Sequence, residues 1–174
     1  MKIIKQQLVF GTLALTLGLV FGISVNAQRG ANLDVLNDSD TEKVVPTSFY
    51  FAGQSAPTQM RNAAAARIGR GRLVIAGLVD TSGYSTEISG KYQGFFITDS
   101  PVRVGGKMLP TGAYGFGFSK NGTMNIFDVS GKQILSAPGR ADQGMKRPRP
   151  LQMTVAAGGI RFYNGRNFVL ISPR

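Results

Sequence analysis

Short apolar runs alternate with glycine pairs and Asn-Gly steps through most of the chain. Residues 73–79 are continuously apolar and rich in β-branched side chains, which predicts a strand buried on both faces. Glycine pairs at 105–106 and 158–159 and Asn-Gly steps at 121–122 and 164–165 predict tight hairpin turns, because these residues adopt positive φ values easily. The spacing of the runs predicts an all-β fold, a single antiparallel β-sandwich or barrel of roughly nine to eleven short strands.

One predicted strand alternates aromatic residues with glycine. Tyr114, Phe116 and Phe118 fall on one face of residues 112–118, and the opposite face carries only glycine and alanine. A face without large side chains permits either close packing of another segment of the chain or docking of a foreign backbone or ligand. Both interpretations stay open, and close packing is the simpler one.

An alanine-rich segment fits two secondary structures. Ser55 can cap a helix, Pro57 suits its first turn and Gly69 suits its end. Alternatively, residues 59–68 form a strand that turns at residues 69–71 into the apolar run that follows. We favour the strand because it agrees with the all-β pattern around it.

The N-terminus carries the three parts of a secretory signal peptide. Two lysines form a positive region, residues 8–23 carry no charge, and Val25 and Ala27 are small enough for a signal-peptidase cleavage site. We therefore predict a signal peptide over residues 1–27 and an exported protein, periplasmic or extracellular, of bacterial type. The alternative is a retained membrane anchor, but the uncharged run falls short of the roughly 20 residues that span a bilayer.

Residues 28–46 form a polar leader between the signal peptide and a β-sandwich domain predicted over residues 47–174. The leader holds four of the nine acidic residues of the chain. We expect it to be flexible and acidic. Its opposite charge and its apolar residues Leu33, Val35 and Leu36 make docking onto the basic body the alternative.

The composition excludes several classes of chemistry. The 174 residues contain no cysteine, histidine or tryptophan. The chain therefore has no disulfide bond, no thiol nucleophile, no imidazole base and none of the cysteine or histidine ligands of zinc sites. We expect neither a cofactor nor a metal. Basic residues number 20 and acidic residues nine, which gives a formal net charge of +11.

Candidate catalytic groups are sparse. Serine and lysine are close neighbours in three predicted turns, at Ser89/Lys91, Ser119/Lys120 and Ser130/Lys132. The acidic residues of the predicted domain are scattered over strand ends and turns, and no spacing pairs them as the two carboxylates of a glycosidase. No catalytic residue is predicted, and a secreted enzyme with a Ser/Lys or carboxylate site stays an alternative.

The basic residues concentrate in two clusters. The first contains only arginine, which suits bidentate contacts with carboxylate or phosphate groups. Together with two tyrosines, the predicted ligand-contact residues are Arg61, Arg67, Arg70, Arg72, Lys146, Arg147, Arg149, Tyr84 and Tyr163. A basic exported domain attracts anionic glycans, lipopolysaccharide or acidic proteins. Export and the lack of an aromatic RNA-binding motif argue against nucleic acid.

The sequence over residues 102–118, VRVGGKMLPTGAYGFGF, resembles a segment of small exported bacterial β-sandwich proteins. In those proteins a glycine turn leads through Leu-Pro-x-Gly-x-Tyr into a new strand, and residues 109–114 match that pattern. The wider stretch that includes AGQSAP, LVDTSGY and KYQGFFITD is similar to secreted bacterial proteins as well. The resemblance implies a β-sandwich fold and export, and it implies no activity and no functional residue.

These observations favour an exported, non-enzymatic binding or assembly module whose basic surface contacts anionic partners or other copies of the chain. Self-assembly would use a sheet edge beside the glycine face. A membrane would be contacted only through an uncleaved signal peptide, which would make the protein a surface-tethered domain.

Overall fold

A computed structural model describes residues 32–174. The signal peptide predicted over residues 1–27 lies outside the described residues. In chain order the elements are β1 (Asp34–Val35), α1 (Asp38–Val44), β2 (Ser48–Phe51), β3 (Gln54–Ile68), β4 (Arg72–Val79), α2 (Thr86–Ser89), β5 (Gly94–Thr98), β6 (Val102–Val104), β7 (Lys107–Leu109), β8 (Gly112–Phe118), β9 (Met124–Phe127), β10 (Gln133–Ala137), β11 (Arg140–Ala141), β12 (Gln152–Ala156), β13 (Gly159–Asn164) and β14 (Asn167–Pro173). Neither helix of this region has the length and apolar character needed to cross a membrane.

The strands form two antiparallel sheets. The large sheet has the order β1-β3-β4-β5-β8-β9-β10, with β2 paired to β3, and the small sheet has the order β12-β13-β14-β6-β7, with β11 paired to β14. The all-β prediction is confirmed. Neither sheet closes on itself, so the barrel alternative is wrong. Residues 32–174 contain 14 strands, more than predicted, because strands as short as β1 and β11 have no periodic pattern of their own.

An aromatic core fills the space between the two sheets. Phe96 and Phe116 of the large sheet pack edge-on against Phe162 of the small sheet, with ring centroids 5.7 and 5.2 Å apart. All three rings are fully buried. Large apolar areas are thereby removed from water, and this burial holds the two sheets against each other.

The large sheet is also covered on the face away from the small sheet. There Phe51 of β2 stacks on Tyr92, with ring centroids 3.9 Å apart. In β4, Val74 consequently belongs to the inter-sheet core and its neighbour Ile75 to the second core. The predicted strand over residues 73–79, buried on both faces, is confirmed.

The glycine face of β8 is filled by the chain itself. A Cβ atom on Gly115 would lie 2.3 Å from the Phe51 ring, and one on Gly117 would lie 1.9 Å from the carbonyl oxygen of Lys91. Close packing is therefore the correct interpretation of this face, which has no room for a foreign backbone. Both edges of β8 are paired, to β5 and to β9, so the strand offers no free edge for assembly.

The alanine-rich segment is a strand, and the helix alternative is wrong. β3 pairs with β4 over residues 63–68, and the turn between them carries Gly69 and Gly71 at φ values of 67° and 77°. Ala64 contributes to the inter-sheet core, whereas Ala65 contributes to the second core. A helix would have presented these alanines around a cylinder rather than alternately to two cores.

Residues 34–46 pack on the large sheet, which differs from the flexible leader expected from the sequence. β1 places Asp34 opposite Arg67 of β3, and the Leu36 N–H donates to the Ala65 carbonyl at 2.9 Å. The Leu36 side chain is buried. The docking alternative therefore describes this part of the leader, because Leu36 and Asp34 both find partners on β3.

Candidate functional site

The predicted contact arginines of β3 and β4 lie in different environments. Arg67 pairs with Asp34 of β1, with 3.5 Å between its Nη1 and the carboxylate Oδ2. Arg70 lies in the β3–β4 turn and Arg72 begins β4, and both are exposed. The leader therefore partly neutralises Arg67 and leaves the two arginines at the end of the hairpin unpaired within residues 32–174.

The second cluster lies in the loop between β11 and β12. Lys146, Arg147 and Arg149 are all exposed there. The loop is fixed to the β13–β14 turn by a hydrogen bond from the Gly165 N–H to the Arg149 carbonyl, at 3.0 Å. These three charges therefore extend from the edge of the small sheet.

Tyr84 and Tyr163, both predicted to contact a ligand, are buried. The Tyr84 hydroxyl donates to the Gln54 carbonyl at 3.1 Å, and burial raises the pKa of Tyr84 above its ordinary value. The Tyr163 hydroxyl donates to Asp142 Oδ2 at 3.0 Å. With 8% and 2% of their surfaces exposed, the two side chains offer almost nothing to a large partner.

One pocket of about 420 Å³, which we call the β3 pocket, joins the two predicted clusters. Arg61 of β3 and Arg149 line it, together with Asp38 and Glu42 of α1. In the described part of the chain, none of these four side chains forms an ion pair. The pocket is thus balanced in charge, whereas the sequence predicted Arg61 and Arg149 as members of basic clusters.

A different set of arginines lies along β14 of the small sheet. The cross-strand pairs are Arg140 opposite Phe168, Arg161 opposite Leu170 and Arg103 opposite Ser172. Val169 and Ile171, which alternate with those β14 residues, are buried in the inter-sheet core. Directly opposite residues share a face, so the three arginines all lie on the outer face of the small sheet. We call this surface the basic face.

Arg161 is held in position by three neighbours. Its guanidinium carbon lies 4.8 Å from the centroid of the Phe168 ring, and its Nη1 donates to the Tyr163 hydroxyl at 3.4 Å. The same nitrogen lies 3.6 Å from Asp142 Oδ2. The hydrogen bond with Tyr163 and the charge of Asp142 raise the pKa of Arg161, which is therefore charged at any physiological pH. Its side chain is still 43% exposed, so it remains accessible to a ligand.

A groove of about 460 Å³ adjoins Arg140 and Arg161, and we call it the β14 groove. Its other lining residues are small or apolar, and no acidic residue is among them. The groove can therefore receive the uncharged part of a molecule whose anionic group contacts the two guanidinium groups.

Acidic residues are scarce in the C-terminal part of the chain. Residues 129–174 contain eight basic residues and one acidic residue, Asp142. That carboxylate already contacts Tyr163 and Arg161. Within this part of the sequence, eight positive charges are therefore offset by one carboxylate, which is already engaged.

The three serine–lysine neighbours have local structural roles. The hydroxyls donate to nearby acceptors, Ser89 to the Ser85 carbonyl at 3.0 Å, Ser119 to Asn121 Oδ1 at 2.6 Å and Ser130 to Asp128 Oδ1 at 2.6 Å. These are contacts typical of turns and helix ends. Among the residues that the structure describes, no group of three or more acidic side chains could hold a metal ion.

No protein-family model, no curated protein and no solved structure matches this chain. The resemblance to exported bacterial β-sandwich proteins therefore stays a prediction.

Sequence reasoning did not select Arg103, Arg140 or Arg161 as contact residues. A usable signal exists for Arg103, because it stands between two core valines and must therefore point away from them. For Arg140 no such signal exists, since β11 has only two residues. Arg140 and Arg161 are brought together only because β11 and β13 both pair with β14.

Proposed function

We propose that this protein is an exported, non-enzymatic binding module that holds a linear anionic polymer, an acidic glycan, on the basic face. The row of Arg140, Arg161 and Arg103 along β14 carries the proposal. The scarcity of acidic residues in the same part of the chain supports it.

The spacing of the row suits a polymer better than a single anion. The three arginines stand opposite β14 residues that are two positions, or about 7 Å, apart along the strand. Arg161 lies on β13, and Arg140 and Arg103 lie on the other side of β14, so the row also zigzags across about two strand spacings, roughly 10 Å. A linear chain with repeated sulfate or carboxylate groups can contact several of these guanidinium groups at once, each through charge-assisted hydrogen bonds. Arg161, fixed by Phe168 and Tyr163, loses little side-chain entropy when it binds.

Heparin, a sulfated glycan, is a suitable probe. We expect the double variant Arg103→Gln/Arg140→Gln to bind heparin about tenfold more weakly than the unmodified protein, because charge-assisted contacts are lost. The matched control is Arg70→Gln/Arg72→Gln, which removes the same charge from the β3–β4 hairpin. Isothermal titration calorimetry at low salt measures both affinities, and urea unfolding checks that both variants fold.

The control also tests the cluster predicted from the sequence. If the hairpin variant loses as much affinity as the basic-face variant, binding depends on net charge or on the hairpin, and the proposal is wrong. Poly-glutamate serves as the second ligand. Binding of poly-glutamate in preference to heparin would assign the basic face to acidic proteins instead.

Export is part of the proposal and has its own test. N-terminal sequencing of the protein recovered from cells should begin at Gln28, after the predicted cleavage site. A protein that retains residues 1–27 would instead be tethered at the membrane surface.

A further inference from the structure

One stretch of β3 has an unpaired edge. On the side away from β4, β2 pairs with β3 up to Pro57, and the Thr58 N–H donates to the Thr47 carbonyl at 2.8 Å. At the other end, β1 pairs with β3 at Ala66 and Arg67. Within residues 32–174 no strand covers the same edge over residues 59–64, which leaves a gap between β1 and β2. The pairing of β3 with β4 shifts register between Thr58 and Ala63, and α1 contacts β3, so Ala63 is the residue of regular strand geometry at this gap.

The backbone of this gap has hydrogen-bonding groups directed outward. The Ala65 carbonyl accepts the Leu36 N–H at this edge. Backbone groups two residues apart along a regular strand point to the same edge, and residues 63–68 are in regular register with β4. The N–H and carbonyl of Ala63 therefore face the gap, where no described backbone group bonds to them. Such an edge is a template for another strand.

The gap opens into the β3 pocket, whose walls carry charges of both signs. Arg61 and Arg149 line it together with Asp38 and Glu42 of α1. Other acidic residues of the same segment are paired, Asp34 with Arg67 and Asp40 with Lys43 at 2.7 Å. The pocket charges have no ion-pair partner among the described residues, although basic and acidic groups line one cavity.

The floor of the β3 pocket is apolar and adaptable. Leu36, Leu151 and Met153 are buried there, and Met60 is half-buried. Methionine adjusts its shape to different apolar partners, and it is common on surfaces that bind peptides. Ala63 and Ala64 of β3 also line the pocket, and their small side chains keep space free beside the strand edge.

We propose that a short extended peptide binds in the β3 pocket by adding a strand to the open edge of β3. Its backbone bonds to Ala63, its apolar side chains rest on the methionine and leucine floor, its carboxylate contacts Arg61, and its ammonium group contacts Asp38 or Glu42. Main-chain bonds supply the affinity in this mode, and the side chains that line the pocket supply the specificity. This site is separate from the basic face and does not depend on the glycan proposal.

The probe is the tetrapeptide Leu-Val-Leu-Val with free termini, and its control is the same peptide with N-methylated backbone amides. We expect the tetrapeptide to bind with a Kd in roughly the micromolar to millimolar range and the N-methylated peptide to bind at least about tenfold more weakly, because it cannot complete the ladder. NMR hydrogen exchange should show slower exchange of the Ala63 amide with peptide and no change at the exposed turn residue Lys120. Equal affinities, or an unchanged Ala63 amide, would overturn the proposal.

The charges are tested separately. Arg61→Gln should weaken the free tetrapeptide about tenfold and leave the C-terminally amidated peptide unchanged, since only the former has a carboxylate. Arg72→Gln, which removes the same charge outside the pocket, should affect neither peptide. Equal effects of the two substitutions on the free tetrapeptide would show that Arg61 does not bind the peptide carboxylate. Heparin affinity, measured in parallel, should be unaffected by Arg61→Gln, so the two proposals fail independently.

Discussion

Two buried tyrosines show how one hydroxyl can stabilise and a neighbouring one can destabilise. Tyr84 donates its hydroxyl to the Gln54 carbonyl at 3.1 Å. Tyr92 is completely buried, and its hydroxyl has no hydrogen-bond partner within residues 32–174. Burial raises the pKa of Tyr92 well above its ordinary value, so this hydroxyl stays protonated. A buried polar group without a partner lowers stability, whereas a bonded one contributes to it.

The two tyrosines therefore respond differently to removal of the hydroxyl. Tyr84→Phe should lower the free energy of unfolding by about 1 kcal/mol, because the Gln54 carbonyl loses its donor. Tyr92→Phe should leave that free energy unchanged or raise it slightly. Urea unfolding followed by circular dichroism measures both. A larger loss in Tyr92→Phe than in Tyr84→Phe would show that the Tyr92 hydroxyl has a partner.

At Gly117, the addition of a single methyl group should strongly destabilise the fold. An added Cβ would lie 1.9 Å from the Lys91 carbonyl oxygen, which belongs to the backbone and cannot rotate away. Gly117→Ala should lower the free energy of unfolding by about 3 kcal/mol or more. Gly83→Ala is the control, since its nearest neighbour would be 4.0 Å away. Similar unfolding midpoints for the two variants would rule out the close packing of β8.

Among the elements, the β9–β10 turn depends on one carboxylate. Asp128 Oδ1 accepts hydrogen bonds from the Ser130 N–H at 2.9 Å, from the Ser130 hydroxyl at 2.6 Å and from the Lys132 N–H at 3.0 Å. These bonds favour the ionised form, and the one from the Ser130 hydroxyl contributes most to lowering the pKa of Asp128. The turn is thus most stable when Asp128 is charged.

The sign of the pH effect follows from the lowered pKa. Asp128 contributes stability above its unfolded-state pKa of about 3.9 and loses it as the pH falls through the lower folded-state pKa. Asp128→Asn should therefore lower Tm at neutral pH, and its difference from the unmodified protein should shrink as the solution is acidified below about pH 4. Asp99→Asn, at an exposed position without an ion pair in the described region, is the control. A Tm difference that is constant with pH would contradict the role of the charge.

At the scale of the whole molecule, the distribution of charge matters more than its total. The chain carries a net charge of +11, but the acidic leader engages part of the β3 surface, and Asp142, the one acidic residue among residues 129–174, is already paired with Arg161. An anionic polymer bound there displaces small counterions from itself. The affinity should therefore depend strongly on salt.

We expect the association constant for heparin to fall roughly ten- to fortyfold between about 50 and 200 mM salt, if three charges are neutralised. Arg103→Gln/Arg140→Gln should show a shallower dependence, because fewer counterions are released. Fluorescence anisotropy of labelled heparin measures both slopes. An affinity insensitive to salt would exclude the basic face as the site of binding.

Local patterns in the sequence were enough for the all-β class and for the hairpin turns, although the shortest strands, β1 and β11, left no pattern. Residues 73–79 and the two glycines at 69 and 71 predicted β4 and its turn correctly. Alternation, apolar runs and positive φ are properties of neighbouring residues, so the local sequence is enough to show them. The leader was wrongly expected to be flexible, because its packing depends on residues that are distant in the sequence. Leu36 looks like an isolated apolar residue in a polar stretch, and its burial depends on a strand that lies about thirty residues further along the chain.

By itself, the sequence determined that the chain is all-β and that its strands are connected by turns that contain glycine. It also determined that the chain is strongly basic and has no cysteine or histidine for catalysis or metal binding. Only the tertiary structure decided which charges act together. It brought Arg103, Arg140 and Arg161 onto one face, placed Arg61 in a charge-balanced pocket and left an open edge on β3. The physical reason is that periodicity fixes which way a side chain points along its own strand, whereas its neighbours on the face depend on pairing between distant strands.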